Sequence, residues 1–124
     1  MKLEVGMYCR YNNFQNKIKI AKIKGIQKAD EVFQYDYINF DNDDGELETN
    51  IIKASYDIID LIKSKDIILG RDGKIYQCWK IYKDYVFTYS KNKQGQTITL
   101  VDYQIDKVLT KEQIEQMAYK VGIK

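Results

Sequence analysis

The stretch from Asn50 to Ile62, at the midpoint of the 124-residue chain, constrains the possible folds more than any other. Its isoleucines do not fall on a single helical stripe, so a helix here would be hydrophobic nearly all round and would need burial on every side. β-branched isoleucine favours strands, and a serine and an aspartate between the apolar runs can support a turn. We therefore predict a strand over residues 48–53, a tight turn over 54–57 and another strand over 58–62.

On either side of this stretch, apolar and polar residues alternate, which is typical of strands. The strongest turn signals between the alternating segments are two tips that end in glycine, Asp41–Gly45 and Lys91–Gly95. The strands before these tips, 37–40 and 86–89, are offset by about the same distance as the two glycines, and a constant offset indicates an internal repeat. Chance alternation in a strand-rich chain is the alternative explanation.

These patterns predict a mainly β fold of two tandem SH3-like small β-barrels, the first over residues 1–62 and the second over 63–124. Small barrels bend their strands at bulges, and a phase slip in a lysine–isoleucine alternation at Ala21–Lys22 predicts one. The run Thr110–Gln113 has a threonine at the N-cap and a glutamine at the third helical position, which together form a capping box. We therefore predict a short C-terminal helix over 110–119.

Composition supports strands, and the two halves differ in charge. The chain has 11 Tyr, 4 Phe, 1 Trp and no Pro, a profile rich in residues that suit strands and interfaces. Residues 1–62 carry 8 Lys/Arg against 11 Asp/Glu, whereas residues 63–124 carry 12 against 7. Such asymmetry can mark interaction surfaces, although two ordinary solvated surfaces would also produce it.

The cysteines and the terminal sequence indicate a cellular compartment. Cys9 and Cys78 lie far apart without metal-binding spacing, so we expect reduced, buried thiols. The first residues lack the apolar run of a signal peptide, and nothing approaches transmembrane length. These features predict a cytoplasmic protein without membrane association.

The residue types that are missing exclude most catalytic chemistry. The chain has no histidine, which removes Ser-His and Cys-His nucleophile pairs and most zinc sites. The segment Gly70–Lys74 lacks the spacing of a phosphate-binding loop. A calcium loop beginning at Asp41 fails because Gly45 is at the fifth position rather than the sixth, and Ile52 stands where a glutamate is needed. We expect no enzyme activity, no catalytic residues, no cofactor and no metal.

An acidic hairpin end is the first candidate binding site. Its carboxylates are Asp41, Asp43, Asp44, Glu46 and Glu48. One interpretation is a solvated hairpin end, and the other is a tip that docks onto a basic groove of a partner protein.

The second candidate is a segment in which lysines interleave with four tyrosines, Tyr76, Tyr82, Tyr85 and Tyr89. The predicted contacts to nucleic acid or to a partner are Lys74, Lys80, Lys83, Tyr85, Lys91 and Lys93. Nucleic-acid-binding proteins combine phosphate contacts with base stacking in this way. The alternative is that half of the tyrosines and Trp79 are core residues and the lysines are solvated strand edges. In the first half, Tyr8, Tyr11 and Phe33 could form an aromatic groove for a peptide.

Three parts of the chain resemble a known group of proteins. They are the opening Val5-Gly6-Met7-Tyr8, the middle segments 51–55 and 58–62, and the ending 110–113 with 119–122. In these parts the chain resembles small uncharacterised phage and prophage proteins of clostridia and related Firmicutes, while residues 74–96 depart most. The resemblance brings no catalytic residues and implies a phage-borne accessory protein made inside a bacterial cell. Proteins of this size and origin often inhibit host defences such as CRISPR nucleases.

The expected function is therefore binding to a bacterial host protein, such as a defence nuclease complex. One alternative is a Tudor- or KOW-like module that binds nucleic acid, weakly at physiological salt because the net charge is only +2. Another alternative is a structural component of the phage. The sequence leaves open the partner, the oligomeric state and the face of each barrel that binds.

Overall fold

The computed structural model describes the backbone of residues 2–120 and the side chains of residues 2–115. Over this range the protein is mainly β, with two antiparallel five-stranded sheets and one short C-terminal helix. The chain divides into two compact units, which we call unit 1 (Met1–Asp57) and unit 2 (Ile58–Lys124). The division lies before the buried residues Ile58 and Ile59, whereas the sequence placed it after residue 62.

Unit 1 is built from strands β1 to β5. They are β1 (Tyr8–Asn12), β2 (Ile18–Gln27), β3 (Tyr37–Phe40), β4 (Gly45–Leu47) and β5 (Ile51–Ser55). The sheet order is β4-β3-β2-β1-β5, so the first four strands form a meander and the fifth returns to pair with the first. A 3₁₀ turn, Glu48–Asn50, joins β4 to β5.

Unit 2 repeats this order with strands β6 to β10. They are β6 (Ile67–Gly70), β7 (Ile75–Ile81), β8 (Val86–Lys91), β9 (Thr97–Leu100) and β10 (Ile105–Leu109). The sheet order is β10-β6-β7-β8-β9, and a 3₁₀ turn, Asp102–Gln104, again precedes the last strand. The internal repeat predicted from sequence is therefore present in the topology. The helix α1, Lys111–Lys120, follows β10.

Within residues 2–120, four tight hairpin turns share one hydrogen-bond pattern. In each turn the amide of the first residue bonds to the carbonyl four residues later, and the amide of the fourth residue bonds back to the first. The fourth residue has positive φ in every case: Asn16 (60°), Asp43 (69°), Gly73 (81°) and Gly95 (79°). The counterpart of Gly95 is therefore Asp43. The sequence-based match of Gly95 to Gly45 was wrong, since Gly45 already belongs to β4.

The core of unit 1 is a cluster of buried side chains from β1, β2, β3 and the N-terminal segment. Its buried members are Leu3, Cys9, Tyr11, Ala21, Ile23, Ile38 and Phe40. The rings of Tyr11 and Phe40 stack almost in parallel, with centroids 4.1 Å apart. Such stacking adds to the stabilisation from burying two large side chains.

The midpoint of the chain departs from the prediction in two places. The strand predicted over 48–53 lies at Ile51–Ser55, after a 3₁₀ turn at Glu48–Asn50, and Ile58–Leu61 is a 3₁₀ turn rather than a strand. A strand turns successive side chains to opposite faces, whereas here the neighbours Ile58 and Ile59 are both buried and Asp60 is exposed. Because two adjacent side chains are buried, this segment forms a 3₁₀ turn rather than a strand.

The bulge in β2 does not lie at the predicted position, Ala21–Lys22. Pairing of β1 with β2 is continuous from Tyr8–Lys22 to Asn12–Ile18, with no irregularity at Ala21. The register of β2 shifts between Ile23 and Gly25, where the strand pairs with β3. The strand thus bends three residues or so after the predicted point, at the edge of the buried segment.

The predicted capping box at the start of α1 is confirmed. The amide of Gln113 donates to Oγ1 of Thr110 (3.2 Å), and the amide of Thr110 donates to Oε1 of Gln113 (2.9 Å). The buried carboxylate of Asp66 accepts the amides of Lys111 and Lys63, both at 2.8 Å. Asp66 therefore ties the first helical residue to the segment that precedes β6.

Both cysteines are free and buried, as predicted. Burial raises the pKa of Cys9 to about 12. It also raises the pKa of Cys78, to about 11, with a smaller contribution from the nearby Asp66 carboxylate. Since the thiolate is the reactive form, both side chains act as small apolar residues rather than as nucleophiles.

Candidate binding surfaces

One member of the predicted acidic hairpin, Glu46, lies inside unit 1. Its side chain is only 4% exposed. Oε2 accepts the amide of Phe14 at 3.2 Å, and Oε1 accepts Nδ2 of Asn50 at 2.8 Å. This carboxylate holds the β1–β2 turn and the 3₁₀ turn together, so it is unavailable as a surface contact.

Asp44 is also largely engaged by its own unit. Its Oδ2 accepts the hydroxyl of Tyr11 at 2.6 Å and lies 3.1 Å from Nζ of Lys19. The Tyr11 hydroxyl in turn accepts Nδ2 of Asn42 at 2.8 Å. Burial, followed by the bond to Asp44, raises the pKa of Tyr11. This network anchors the hairpin tip to the core.

The remaining acids of the hairpin are more exposed. Asp43 forms an ion pair with Lys24 at 3.1 Å, in which both side chains are solvated. Asp41 is exposed, and its Oδ1 accepts the amide of Lys22 at 3.2 Å. Glu48 is half-buried and accepts the amide of Asp36 at 3.4 Å. Only Asp41 and Asp43 thus form an outward acidic tip.

The predicted basic contacts of unit 2 are all exposed, apart from the half-buried Tyr85. Lys74 and Lys93 lie in the β6–β7 and β8–β9 turns, and Lys91 ends β8. Lys80 and Lys83 lie in and just after the end of β7, and Nζ of Lys80 is 4.9 Å from the centroid of the Trp79 ring.

Five aromatic side chains of β7, β8 and their connecting turn form one surface, which we call the Trp79 face. Its members are Trp79, Tyr82, Tyr85, Phe87 and Tyr89. Neighbouring ring centroids are 4.9 to 6.4 Å apart, the range of favourable aromatic contacts. Trp79 is 39% exposed and Tyr89 is 52% exposed, so the cluster is open to solvent.

The strand register explains how this face arises. Cys78 pairs with Thr88, and both are buried. The register then shifts before Lys80 pairs with Phe87, and Trp79 occupies the irregularity. Sequence reasoning identified Tyr82, Tyr85 and Tyr89 beside the lysines but did not recognise the face, because alternation alone cannot show where a bulge changes the phase. Tyr76, by contrast, is a core residue whose hydroxyl donates to Asp72 at 2.6 Å.

Unit 1 carries a second aromatic site, which we call the Phe33 cleft. It has a cavity volume of about 220 Å³ and is lined by Gln27, Phe33, Tyr35, Tyr37 and Leu47. Phe33 and Tyr35 come from the loop between β2 and β3, and Tyr37 and Leu47 pair across β3 and β4. All three rings are between 39% and 55% exposed, so the cleft opens to solvent.

Two aspartates order the loop that carries Phe33 and Tyr35. Oδ1 of Asp30 accepts the amides of Val32 and Phe33, both at 2.8 Å. Oδ1 of Asp36 accepts the amide of Ala29 at 2.8 Å, and its Oδ2 lies 3.4 Å from Nζ of Lys28. The backbone bonds from Phe33 and Val32 lower the pKa of Asp30. The backbone bond from Ala29, followed by the side-chain bond from Lys28, lowers the pKa of Asp36.

The groove predicted from Tyr8, Tyr11 and Phe33 is not formed. Tyr11 is fully buried against Phe40, so it cannot line a surface groove. Tyr8 is half-buried, with Nζ of Lys22 5.2 Å from its ring centroid. Phe33 contributes to the cleft described above, whose other members the sequence analysis did not identify.

Over the described residues, no group of three or more Cys, Asp or Glu side chains is placed to hold a metal ion. No helix in that part of the chain is both long and apolar enough to cross a membrane. Comparison of the chain with protein-family models, with curated proteins and with solved structures finds no match.

Proposed function

We propose that this chain is a non-enzymatic binding protein of two SH3-like barrels that engages a bacterial host protein through the Trp79 face. The fold part of the proposal is supported by the strand order of each unit, a four-strand meander whose fifth strand returns to the first after a 3₁₀ turn. Small barrels of this kind carry their binding sites on exposed aromatic surfaces.

The observation that carries the functional part is a surface cluster of five contacting rings, of which Trp79, Tyr82 and Tyr89 are exposed. Tryptophan and tyrosine dominate the hot spots of protein interfaces because they bury a large area with few rotatable bonds. Trp79 and Tyr89 are half-open to solvent, although burial would be expected for rings that serve only the core. Lys80, Lys83 and Lys91 lie on the same two strands or their turn, against one acid, Asp84. The best-matched partner surface is apolar and bordered by carboxylates.

The setting of this proposal is a phage-borne accessory protein in the bacterial cytoplasm, and a defence nuclease complex is the partner we favour. The sequence resemblance to phage and prophage proteins supports the setting. The free, buried thiols of Cys9 and Cys78 agree with a reducing compartment.

Binding of single-stranded nucleic acid is the second candidate, and the contact between Lys80 and Trp79 favours it. Sequence-tolerant binding of single strands uses aromatic platforms beside phosphate-binding lysines. The same five rings and three lysines would meet this need. Trp79 is the only tryptophan in the chain, so its fluorescence reports on this face alone. The two candidates predict different ligands and different salt dependence for a change in that fluorescence.

The test begins with capture of host proteins on the immobilised chain and on Trp79→Ala and Tyr89→Ala variants. Tyr103→Ala is the matched control, because Tyr103 is 73% exposed in unit 2 but lies outside the face. A host protein lost with the first two variants and retained by the control would then be purified. We expect it to shift the Trp79 emission of the wild-type chain at physiological salt.

Titration of a single-stranded oligothymidylate into the wild-type chain tests the nucleic-acid candidate. We expect it to change Trp79 emission only at low salt, because phosphate contacts weaken steeply as salt rises. Tight binding of the oligonucleotide at physiological salt, lost in Trp79→Ala, would replace the protein-binding proposal by the nucleic-acid one. Capture that is indifferent to both face variants would refute the use of this face.

A further inference from the structure

We propose that the Phe33 cleft of unit 1 binds an arginine or lysine side chain from a basic segment of a partner protein. The site lies in unit 1, and its use does not depend on the Trp79 face. It goes beyond the proposed function by adding a second surface with the opposite charge preference.

The shape and lining of the cleft suit a long cationic side chain. Its volume of about 220 Å³ exceeds many times the ~30 Å³ that one water occupies in the liquid. Three of its five lining residues are aromatic, and their faces carry negative charge density that attracts an ammonium or a guanidinium group. Leu47 offers contact to the aliphatic stem, and Gln27 offers one amide for a hydrogen bond.

The charge around the cleft favours a cation over any other occupant. Residues 28–50, which supply four of the five lining side chains, contain one lysine and eight acidic residues. The lysine, Lys28, is already paired with Asp36. Among the ion pairs of residues 2–115, none involves Asp30, Glu31 or Glu48. These three carboxylates adjoin the lining segments in the chain and would repel the phosphates of a nucleic acid.

The walls of the cleft are held in place before any ligand arrives. Asp30 and Asp36 fix the loop that carries Phe33 and Tyr35, and the amide of Glu48 bonds to the carbonyl of Asp36 at 3.0 Å. The ring of Tyr37 lies over Gly45, so close that a Cβ at position 45 would overlap it. Binding to a preformed site loses little conformational entropy, which is how a small cleft reaches useful affinity.

The probe is a fluorescein-labelled heptapeptide, Gly-Arg-Gly-Lys-Gly-Arg-Gly, with a matched peptide in which citrulline replaces arginine and acetyl-lysine replaces lysine. The two peptides differ in charge but hardly in shape. We expect the basic peptide to shift the NMR signals of Phe33, Tyr35 and Tyr37 and the neutral peptide to leave them in place. Anisotropy should show weaker binding as salt rises, because the flanking residues Asp30 and Glu31 are exposed.

Variants of the lining residues test whether peptide binding depends on the aromatic ring faces or only on apolar contact. Phe33→Leu and Tyr35→Leu keep an apolar side chain but remove the ring, and each should weaken the basic peptide about two- to fivefold, the range for an exposed cation–ring contact. Adding Glu31→Gln to either variant should weaken binding of the basic peptide further. Phe14→Leu is the control, because Phe14 is 81% exposed in the β1–β2 turn of the same unit.

Three results would overturn the proposal. The first is equal binding of the neutral peptide, which would make the cleft a purely apolar site. The second is the absence of peptide-dependent shifts at the three rings. The third is self-association of the chain, seen by sedimentation and abolished by Tyr35→Leu, which would make a second copy the occupant. Trp79→Ala should leave peptide binding unchanged, so failure here is distinct from failure of the proposed function.

Discussion

In unit 1 the connection between the second and third strands runs over residues 28–36, whereas in unit 2 the corresponding connection is only residues 82–85. The long loop folds back and places Phe33 and Tyr35 beside strand residues, which creates a cleft. The short turn keeps Tyr82 and Tyr85 next to the strand face, which creates a flat aromatic surface. The other hairpins of the two units have the same turn pattern. One variable connection in a fixed topology therefore decides whether the aromatic residues form a cleft or a face.

The two units also differ in net charge. Unit 1 carries 8 Lys/Arg against 10 Asp/Glu, and unit 2 carries 12 against 8. The cleft belongs to the acidic unit and the face to the basic unit, so two related topologies present surfaces with opposite electrostatic preference. Charge complementarity acts mainly on association rate and partner choice. The comparison between the units teaches that the shape and charge of a surface are set by side chains and one loop, and not by the strand order.

The largest effect is expected for Ile59→Asp, which places a carboxylate in the buried 3₁₀ turn at the start of unit 2. Ile59 is 1% exposed, and an unpaired buried charge costs several kcal/mol against a typical total stability of about 5–15 kcal/mol. We expect loss of hydrogen-exchange protection across β6 to β10. Ile75→Asp is the control, because Ile75 is 70% exposed in the same unit. A melting temperature unchanged by Ile59→Asp would contradict the described burial.

The next effect tests a position at which the units differ, Glu46. Counting from the matching turns, its counterpart in unit 2 is Ile98, which carries no carboxylate. Glu46→Ala leaves the Phe14 amide and the Asn50 side chain without their acceptor, and we expect a loss of about 1–3 kcal/mol in urea unfolding. Asp41→Ala, at the exposed tip, should change the free energy of unfolding by less than about 0.5 kcal/mol. Equal effects would mean that Glu46 is a surface residue after all.

A smaller effect is expected at the shared turns. At Gly95 an added Cβ would meet no atom within 4 Å, so Gly95→Ala is destabilising only through its positive φ, by about 1–2 kcal/mol. Asp43→Gly, at the same point of the matching turn, should change stability little, because relief of the left-handed backbone offsets the greater freedom of the unfolded chain. Chemical denaturation measures the change in the free energy of unfolding for both variants. A neutral Gly95→Ala would show that the turn pattern is not shared.

The smallest effect is a local response of the long loop to pH. Hydrogen bonds hold the pKa values of Asp30 and Asp36 below their ordinary range. Groups with a lowered pKa in the folded state contribute stability above the pKa of the unfolded chain and lose it as pH falls through the folded value. We therefore expect the amide signals of Ala29 and Phe33 to change in acid before the sheet unfolds.

The connection of unit 2 supplies the control for this response. It is closed by a backbone bond from the amide of Tyr82 to the carbonyl of Tyr85, at 2.9 Å. A backbone bond does not titrate in this range, so these amides should respond later than those of the long loop. Simultaneous changes in both connections would show that acid acts on the whole protein and not on the two aspartates.

Alternation, turn residues and the capping box at Thr110 were sufficient to predict most of the strands, the repeat and the helix, because these signals are local. The division of 46–53 into β4, a 3₁₀ turn and β5 was not predicted. The 3₁₀ turn at Ile58–Leu61 was missed because burial of adjacent residues is a tertiary property. Glu46 was assigned to the surface because nothing local shows that its carboxylate will accept the Phe14 amide from the distant β1–β2 turn. The Phe33 cleft was missed because it depends on how a polar loop folds back over β3 and β4.

The single variable connection also makes unit 2 a scaffold that tolerates insertion. Closing a longer flexible loop costs only about 0.6 kcal/mol for each doubling of its length. The turn at Tyr82–Tyr85 can therefore accept additional residues at a cost well below the effect of one buried charge, while the hairpins on either side keep their register through their own turn bonds. A library of sequences inserted there would place new side chains beside the five rings of the Trp79 face. Such a library would vary the surface beside the Trp79 face without altering the sheet of unit 2.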